Sequence, residues 1–311
     1  IANYYNIDNL HLIILNKHRI KPFLIDNELY ADILVLPSLE RKNWRRALKS
    51  HIVKYENILG DYFQDKDIET FIGAQDSNII FSYIKKMAYP KYYWNIEDGL
   101  GNYSDYTWVL KLIVFIKKKL FKHIYGYDLP MTYAHGITEC DKSFRLAPSI
   151  STGGDDHLES AQILKDYIKV KAKKLKKEIS FSEDLSNVST LVITNLSHFS
   201  KNKIENNDPA TVYKFHPNDE IKNDIGVRYI KEKMPLEMIP LMLPNLQKIR
   251  FNVPSTSILS ILCMDLDIKI EVDLEPLRFK DRVWYYIIRA NYLDDVYENI
   301  SKEFKNKVTF L

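Results

Sequence analysis

Two stretches of strand–helix alternation, separated by a polar segment, constrain this chain more than any other feature. In the first half, His11–Asn16 (HLIILN) and Ala31–Pro37 (ADILVLP) are short β-rich apolar runs followed by more polar or helical sequence. From Glu40 to Phe63 the apolar residues Leu48, Ile52, Tyr55 and Ile58 recur at three- and four-residue steps, which predicts a helix. Asn78–Ile84 (NIIFSYI) fits either a strand or the start of a buried helix, and Tyr106–Tyr127 predicts one long helix, apolar early and basic late. The alternation then restarts. Thr190–Leu196, Thr211–Phe215, Lys248–Val253 and Ile268–Val272 are strand candidates with helical stretches between them. Such alternation predicts parallel sheets covered by helices. Between the halves, Ser149–Asp156 (SISTGGDD) reads as a flexible polar segment and Leu158–Glu178 as a lysine-rich helix, so the boundary is expected at about residues 150–185. Two units joined this way predict a cleft between domains.

The bulk numbers narrow the function classes. A chain of 311 residues is long enough for two domains with sizeable cores. Its 9 glycines are ~3% of the chain against a usual ~7%. Neither GxGxxG nor GxxxxGK[ST] occurs, which disfavours folds built on glycine-rich phosphate loops. The heavy use of Lys, Asn, Ile and Tyr fits codon bias in an AT-rich genome. A net charge of +3 is too small to imply nucleic acid as a partner. Cys140 and Cys263 form no disulfide framework and no metal-ligand spacing, which fits a reducing, cytoplasmic setting. Val109–Ile116, one of the longest apolar runs, is broken by Lys111 and stopped by Lys117, far short of the ~18–20 residues of a membrane span. The first residues lack a signal-peptide layout. Because the sequence starts at Ile1 without methionine, a trimmed chain or one with segments missing is the expectation.

Three short motifs carry chemistry. Glu97-Asp98-Gly99 follows Tyr93-Trp94-Asn95-Ile96, so two adjacent carboxylates and a glycine suit a strand end opening into a loop. Mutual repulsion raises one of two adjacent acids toward the range of a general base, although an ordinary surface turn has the same composition. His216-Pro217 closes the run Tyr213-Lys214-Phe215. A histidine there is aimed at the edge where open α/β sheets bind ligands, and it can donate to a phosphate leaving group or simply close a strand. Ser255-Thr256-Ser257 follows another strand and opens a helix near Ile258. Hydroxyls and amides in that position hold an anion, cap the helix, or do both.

Taken in order, these motifs resemble those of the bacterial sialyltransferases, which share [DE]-[DE]-G, HP and S-[ST] motifs. The matches are Glu97-Asp98-Gly99, His216-Pro217 and Ser255-Thr256 (or Thr256-Ser257). The run Glu-Asp-Gly-Leu-Gly-Asn-Tyr is most similar to the capsular polysialyltransferases, with the lipooligosaccharide sialyltransferases as near neighbours. The resemblance implies a GT-B fold of two Rossmann-like domains facing across a cleft. Residues 1–165 would form the acceptor-side domain with the general base, and 180–311 the domain that binds CMP-sialic acid. It also implies inverting, metal-independent transfer to a glycan acceptor, extending a polysialic acid capsule, with no cofactor beyond the donor. In that scheme Glu97 is the base, and Asp98 and Gly99 support the loop or the acceptor, although the motif leaves open which acid is the base. His216 stabilises the departing CMP phosphate, Pro217 sets its angle, and Ser255, Thr256 and Ser257 hold the phosphate. The expected partners are CMP-sialic acid, a sialylated acceptor, the cytoplasmic face of the inner membrane and the capsule export machinery. One alternative is a lipooligosaccharide enzyme capping galactose; another is a non-catalytic capsule-assembly protein that keeps the fold.

Competing signals are weaker. Asp265-Leu266-Asp267 has the DxD pattern that can hold a divalent cation on a nucleotide diphosphate, but its apolar flanks suit a strand-entry turn. Gly153-Gly154-Asp155-Asp156-His157 could cradle an anion or metal, but reads better as a mobile loop ending in the N-cap of the next helix. Lysines crowd two helices, Lys117, Lys118, Lys119 and Lys122 on one, and Lys169, Lys171, Lys173, Lys174, Lys176 and Lys177 on the other. They form solvated faces, steer a polyanionic acceptor, or, where they follow Leu110, Ile113, Val114 and Phe115, rest on an anionic membrane. Trp94, Tyr103, Tyr106 and Trp108 can stack on sugar rings or serve packing alone.

Overall fold

The computed structural model describes residues 7–15, 27–37, 44–73, 79–96, 108–126, 140–150, 157–159, 162–163, 165–167, 170, 180–199, 208–216, 219, 221, 225–232, 234–253, 255, 257–273 and 290–311. Eleven strands in this set form three parallel sheets.

The first half begins with β1 (His11–Leu15) and β2 (Asp32–Leu36), which pair with each other in parallel. Helix α1 (Trp44–Phe63) leads to β3 (Thr70–Gly73), α2 (Ile79–Ala88) to β4 (Tyr92–Ile96), and α3 (Trp108–Tyr125) to β5 (Lys142–Arg145). With β6 (His157–Glu159), the last four strands make a sheet ordered β3-β4-β5-β6. The helical spacing read from the sequence is what seats α1, since Ile52, Tyr55 and Leu59 turn one stripe inward. They pack with Leu36, Ile80, Tyr83, Ile84 and Phe121, so α1, α2 and α3 share one core with both sheets.

The second half starts at β7 (Thr190–Thr194) and continues through β8 (Thr211–Phe215), β9 (Lys248–Phe251), β10 (Lys269–Val272) and β11 (Val308–Phe310). Among the described residues four helices lie between or beside them: α4 (Leu196–Phe199), α5 (Ile239–Met242), α6 (Ser257–Cys263) and α7 (Ala290–Glu303). The sheet order is β11-β10-β9-β7-β8. β7 and β8 are buried along nearly their whole length because both faces are covered, whereas β9 and β10 alternate buried apolar residues with Lys248, Arg250, Lys269 and Glu271. Leu191, Ile193, Val212, Ile249 and Phe251 face the larger core with α6 and α7, while Val192, Tyr213 and Phe215 pack under Phe199 and Tyr229.

Of Asn78–Ile84, which the sequence left open between strand and helix, Ile79–Ile84 form the start of α2, and Asn78 lies outside the described residues. Two expectations need correcting. A helix beginning at Leu158 gives way to strand β6, because pairing with β5 satisfies that backbone at the sheet edge. Residues 162–163, 165–167 and 170 are helical, and the lysine-rich remainder lies outside the described residues. The segment expected to be flexible from Ser149 starts as a 3-10 turn, Pro148–Ile150, with Ile150 buried. Asn299 Nδ2 donates to the Ile150 carbonyl at 3.3 Å, and Ala147 and Ile150 belong to the core of the second sheet. Sheet membership therefore changes between Glu159 and Thr190, while the turn after β5 is already anchored on the second core.

Candidate functional site

In the second sheet the chain steps from β7 to β8 on one side, then returns to β9, β10 and β11 on the other. The strand order reverses between β7 and β9, and doubly wound sheets bind ligands beyond the carboxyl ends of the strands at such a reversal. Parallel pairing brings four residues to that edge: Asn195, His216, Asn252 and Asp273 each immediately follow a strand. The His216 N–H donates to the Thr194 carbonyl at 3.1 Å, and the Asn252 N–H to the Ile193 carbonyl at 2.9 Å. His216 and Asn252 thus flank β7 from opposite sides, about 10 Å apart at two strand spacings.

The exits are tied together. The His216 carbonyl accepts from the Asp219 N–H at 2.8 Å, closing a tight turn. Asp219 Oδ2 accepts from the Leu196 N–H at 2.8 Å, which links the exit of β8 to the first turn of α4. His216 is exposed at this edge. Beneath it, burial pushes the Tyr213 phenol above its ordinary pKa, with Arg250 opposing and Asp208 adding to the shift. From within β9, Arg250 Nε donates to Asn252 Oδ1 at 3.1 Å and the guanidinium lies 4.0 Å from the Asp273 carboxylate.

The hydroxyl motif sits on the other side of β7. Ser255 Oγ accepts from the Ser257 N–H at 3.2 Å, and its carbonyl accepts from the Ile258 N–H at 3.3 Å. Ser255 therefore caps α6 as the sequence suggests. Ser255 and Ser257 are half-buried, while Ile258 and Leu259 are buried, so the apolar side of α6 anchors the turn and leaves its polar side at the edge. Of the expected donor-binding residues, His216, Ser255 and Ser257 lie at one sheet edge; Pro217 and Thr256 lie outside the described residues.

Glu97, Asp98 and Gly99 also lie outside the described residues, but Glu97 is bonded directly to Ile96, the last residue of β4. The surroundings of that strand end are unusually polar for a core. Asn95, Ser82, Ser143 and Arg145 are all at most 2% exposed, and Lys85 is 9% exposed. Asn95 Nδ2 donates to the Tyr93 hydroxyl at 2.9 Å, while Lys85 Nζ lies 3.4 Å over the Tyr93 ring. Asn95 Oδ1 and Ser143 Oγ, register neighbours on β4 and β5, have no hydrogen-bond partner among the described residues. Arg145 is the largest fully buried side chain, one residue beyond Phe144, the register partner of Ile96. A guanidinium taken out of water requires anionic or strongly polar neighbours. Asp141 fixes the strand pair from its other end, accepting from the Tyr93 N–H at 2.6 Å.

This polar seam, like Asn195, Asn252 and Asp219, was not singled out from the sequence. Asparagine directly after two apolar runs (TLVIT-N and KIRF-N) was the available signal for the second-sheet edge. Trp94 packs against Phe144 and lies under Lys142, which accounts for it as rim packing. Asp265 has φ +55° and pairs with Lys307 in the turn before β10, as expected of a strand-entry turn. Lys117 and Lys119 are exposed on α3 and Lys118 is half-buried; Lys169 and Lys173 lie outside the described residues. Comparison with protein-family models and with curated proteins returns no match.

Proposed function

We propose that this chain is an inverting sialyltransferase that moves sialic acid from CMP-sialic acid to a glycan hydroxyl, extending a polysialic acid chain. The observation that carries this reading is that His216 and the Ser255–Ser257 turn lie at the same sheet edge, on opposite sides of β7. A phosphate at that edge receives hydrogen bonds from the imidazole on one side and from hydroxyls and amides on the other. The order of the three motifs supplies the sugar and the donor.

In this mechanism the acceptor oxygen attacks the anomeric carbon as its bond to the CMP phosphate breaks. Glu97 takes the hydroxyl proton, and Asp98 and Gly99 shape its loop. His216 donates to the phosphate oxygen as charge develops there, with Ser255, Thr256 and Ser257 completing the set of donors. Fixed donors of this kind stabilise the leaving group without reorganising, so the proposed reaction needs no metal. A GT-B arrangement, with the β4 end facing the His216 edge, would bring base and leaving group together.

Titration calorimetry with CMP tests the donor half. His216→Ala is expected to weaken CMP binding about 10–100-fold, the range for losing a hydrogen bond to a charged group. Ser255→Ala is expected to weaken it less. Equal CMP affinity in His216→Ala and the unaltered chain would remove the histidine from the donor site.

A further inference from the structure

The face of α3 turned away from the core carries a second surface, independent of the proposed chemistry. Phe121 on this helix is buried at 3% exposure and holds the helix onto the first core. On other sides Leu112, Phe115, Ile116, Leu120 and Ile124 are 45–56% exposed. Four of them recur every fourth residue and so form one ridge, about 18 Å long at 1.5 Å per residue. These five exposed residues differ from the apolar set read in the sequence, sharing only Phe115 with it. Lys117, Lys119, Lys122 and His123 are exposed beside it, and Lys119 Nζ lies 5.5 Å from the centre of the Phe115 ring. The helix contains five lysines and no carboxylate.

We propose that this face of α3 docks on an anionic lipid bilayer, with the helix lying flat in the headgroup layer. Apolar side chains enter the acyl boundary while flanking lysines meet lipid phosphates, and long lysine stems reach outward without burying their charge. A bilayer uses both halves of the pattern. A polyanionic glycan would meet the lysines but give the five apolar side chains nothing to contact. A second copy of the chain, packed about a two-fold axis, would oppose lysine to lysine with no acid on the helix to relieve it. Among the described residues no helix is long and apolar enough to cross a membrane, so α3 lies on the surface rather than through it.

Vesicle flotation with the full chain tests this, comparing phosphatidylcholine alone with phosphatidylcholine containing phosphatidylglycerol. The expected result is at least about tenfold stronger partitioning onto the anionic vesicles, reduced but not abolished by salt. Ile116→Glu/Leu120→Glu and Lys119→Gln/Lys122→Gln should each reduce it about tenfold. These positions are exposed, so melting temperatures should match the unaltered chain. A Phe115→Trp variant should show a blue-shifted emission on anionic vesicles, quenched by brominated lipid. Failure to bind vesicles would overturn the proposal, as would unchanged binding by the double-glutamate variant or an unshifted tryptophan. So would a dimer that dissociates in that variant while vesicles stay unbound. None of these readouts involves CMP or sugar, so the transferase reading stands or falls separately.

Discussion

Gly73→Ala is expected to destabilise the first sheet even though alanine suits a strand better than glycine. A methyl group at this position would meet the Phe81 ring at 2.1 and 2.2 Å, more than 1 Å inside ordinary contact. The ring cannot simply swing away. Phe81 packs edge-on against Phe71 at 5.3 Å and lies 6.4 Å from Tyr93, so moving it disturbs both. Overpacking of this kind costs about 1–3 kcal/mol, against which removing a strand glycine returns about 0.5–1 kcal/mol. The net loss is up to about 2 kcal/mol, or about 4–8 °C in Tm at 2–4 °C per kcal/mol. Differential scanning fluorimetry reads it directly. Phe81→Leu shortens the obstructing group, so Gly73→Ala should cost less in that background than alone. The Gly73 carbonyl also accepts from Asn95 Nδ2 at 3.4 Å, beside the strand end that leads into Glu97. Transfer should therefore fall further than the fraction of unfolded chain explains. A Gly73→Ala variant more stable than the original, or fully additive losses with Phe81→Leu, would refute the steric reasoning.

Further expectations concern the seam and the second sheet. Arg145→Met should cost about 1–3 kcal/mol by taking from the buried Phe144 carbonyl the guanidinium that donates to it at 3.1 Å; chemical denaturation showing no loss would contradict a structural role for the guanidinium. Asp208 accepts from the Ala210 N–H and the Thr211 hydroxyl, both at 2.9 Å, and the Ala210 bond first, then Thr211, hold its carboxyl below the usual range. A depressed folded-state pKa stabilises above the unfolded value and loses that effect as pH falls through the folded value. The Tm gap between the original and Asp208→Ala should therefore be full near neutral pH and close on acidification below about pH 4; a gap that widens in acid would reverse the assignment. Ser255→Ala removes the acceptor for the Ser257 N–H and should lower stability by about 0.5–2 kcal/mol in urea titrations. An unchanged midpoint would show that the serine does not cap α6.

Strand–helix alternation was legible wherever strands were long apolar runs buried on both faces, as with β7 and β8. β5 was not, because its four residues Lys-Ser-Phe-Arg look like solvent-facing sequence. It forms because Trp94, Asn95 and Ile96 offer a ladder partner and because Phe144 is buried against Trp94. β6 illustrates the same limit, since pairing with β5 decided its state over the helical character of the residues after it. The places of His216 and Ser255 in the fold were readable because each comes soon after a strand, a position that sequence pattern marks well. That they lie at one sheet edge on opposite sides of β7 depended on strand order, which no local pattern encodes. The buried seam of Ser82, Lys85, Asn95, Ser143 and Arg145 was illegible for a related reason. Each residue type is ordinarily exposed, and only the register of β3, β4 and β5 under α2 gathers them.

The most direct test of the proposed function is a transfer assay in EDTA. It would present CMP-sialic acid with a fluorescent oligosialic acceptor in one reaction and a fluorescent lactoside in another, reading products by chromatography. The account predicts a ladder of elongated oligosialic products, lost in both Glu97→Gln and His216→Ala. A single addition to the lactoside would move the acceptor assignment to lipooligosaccharide-type galactose. No product on either acceptor, with no CMP released, would contradict sialyl transfer altogether.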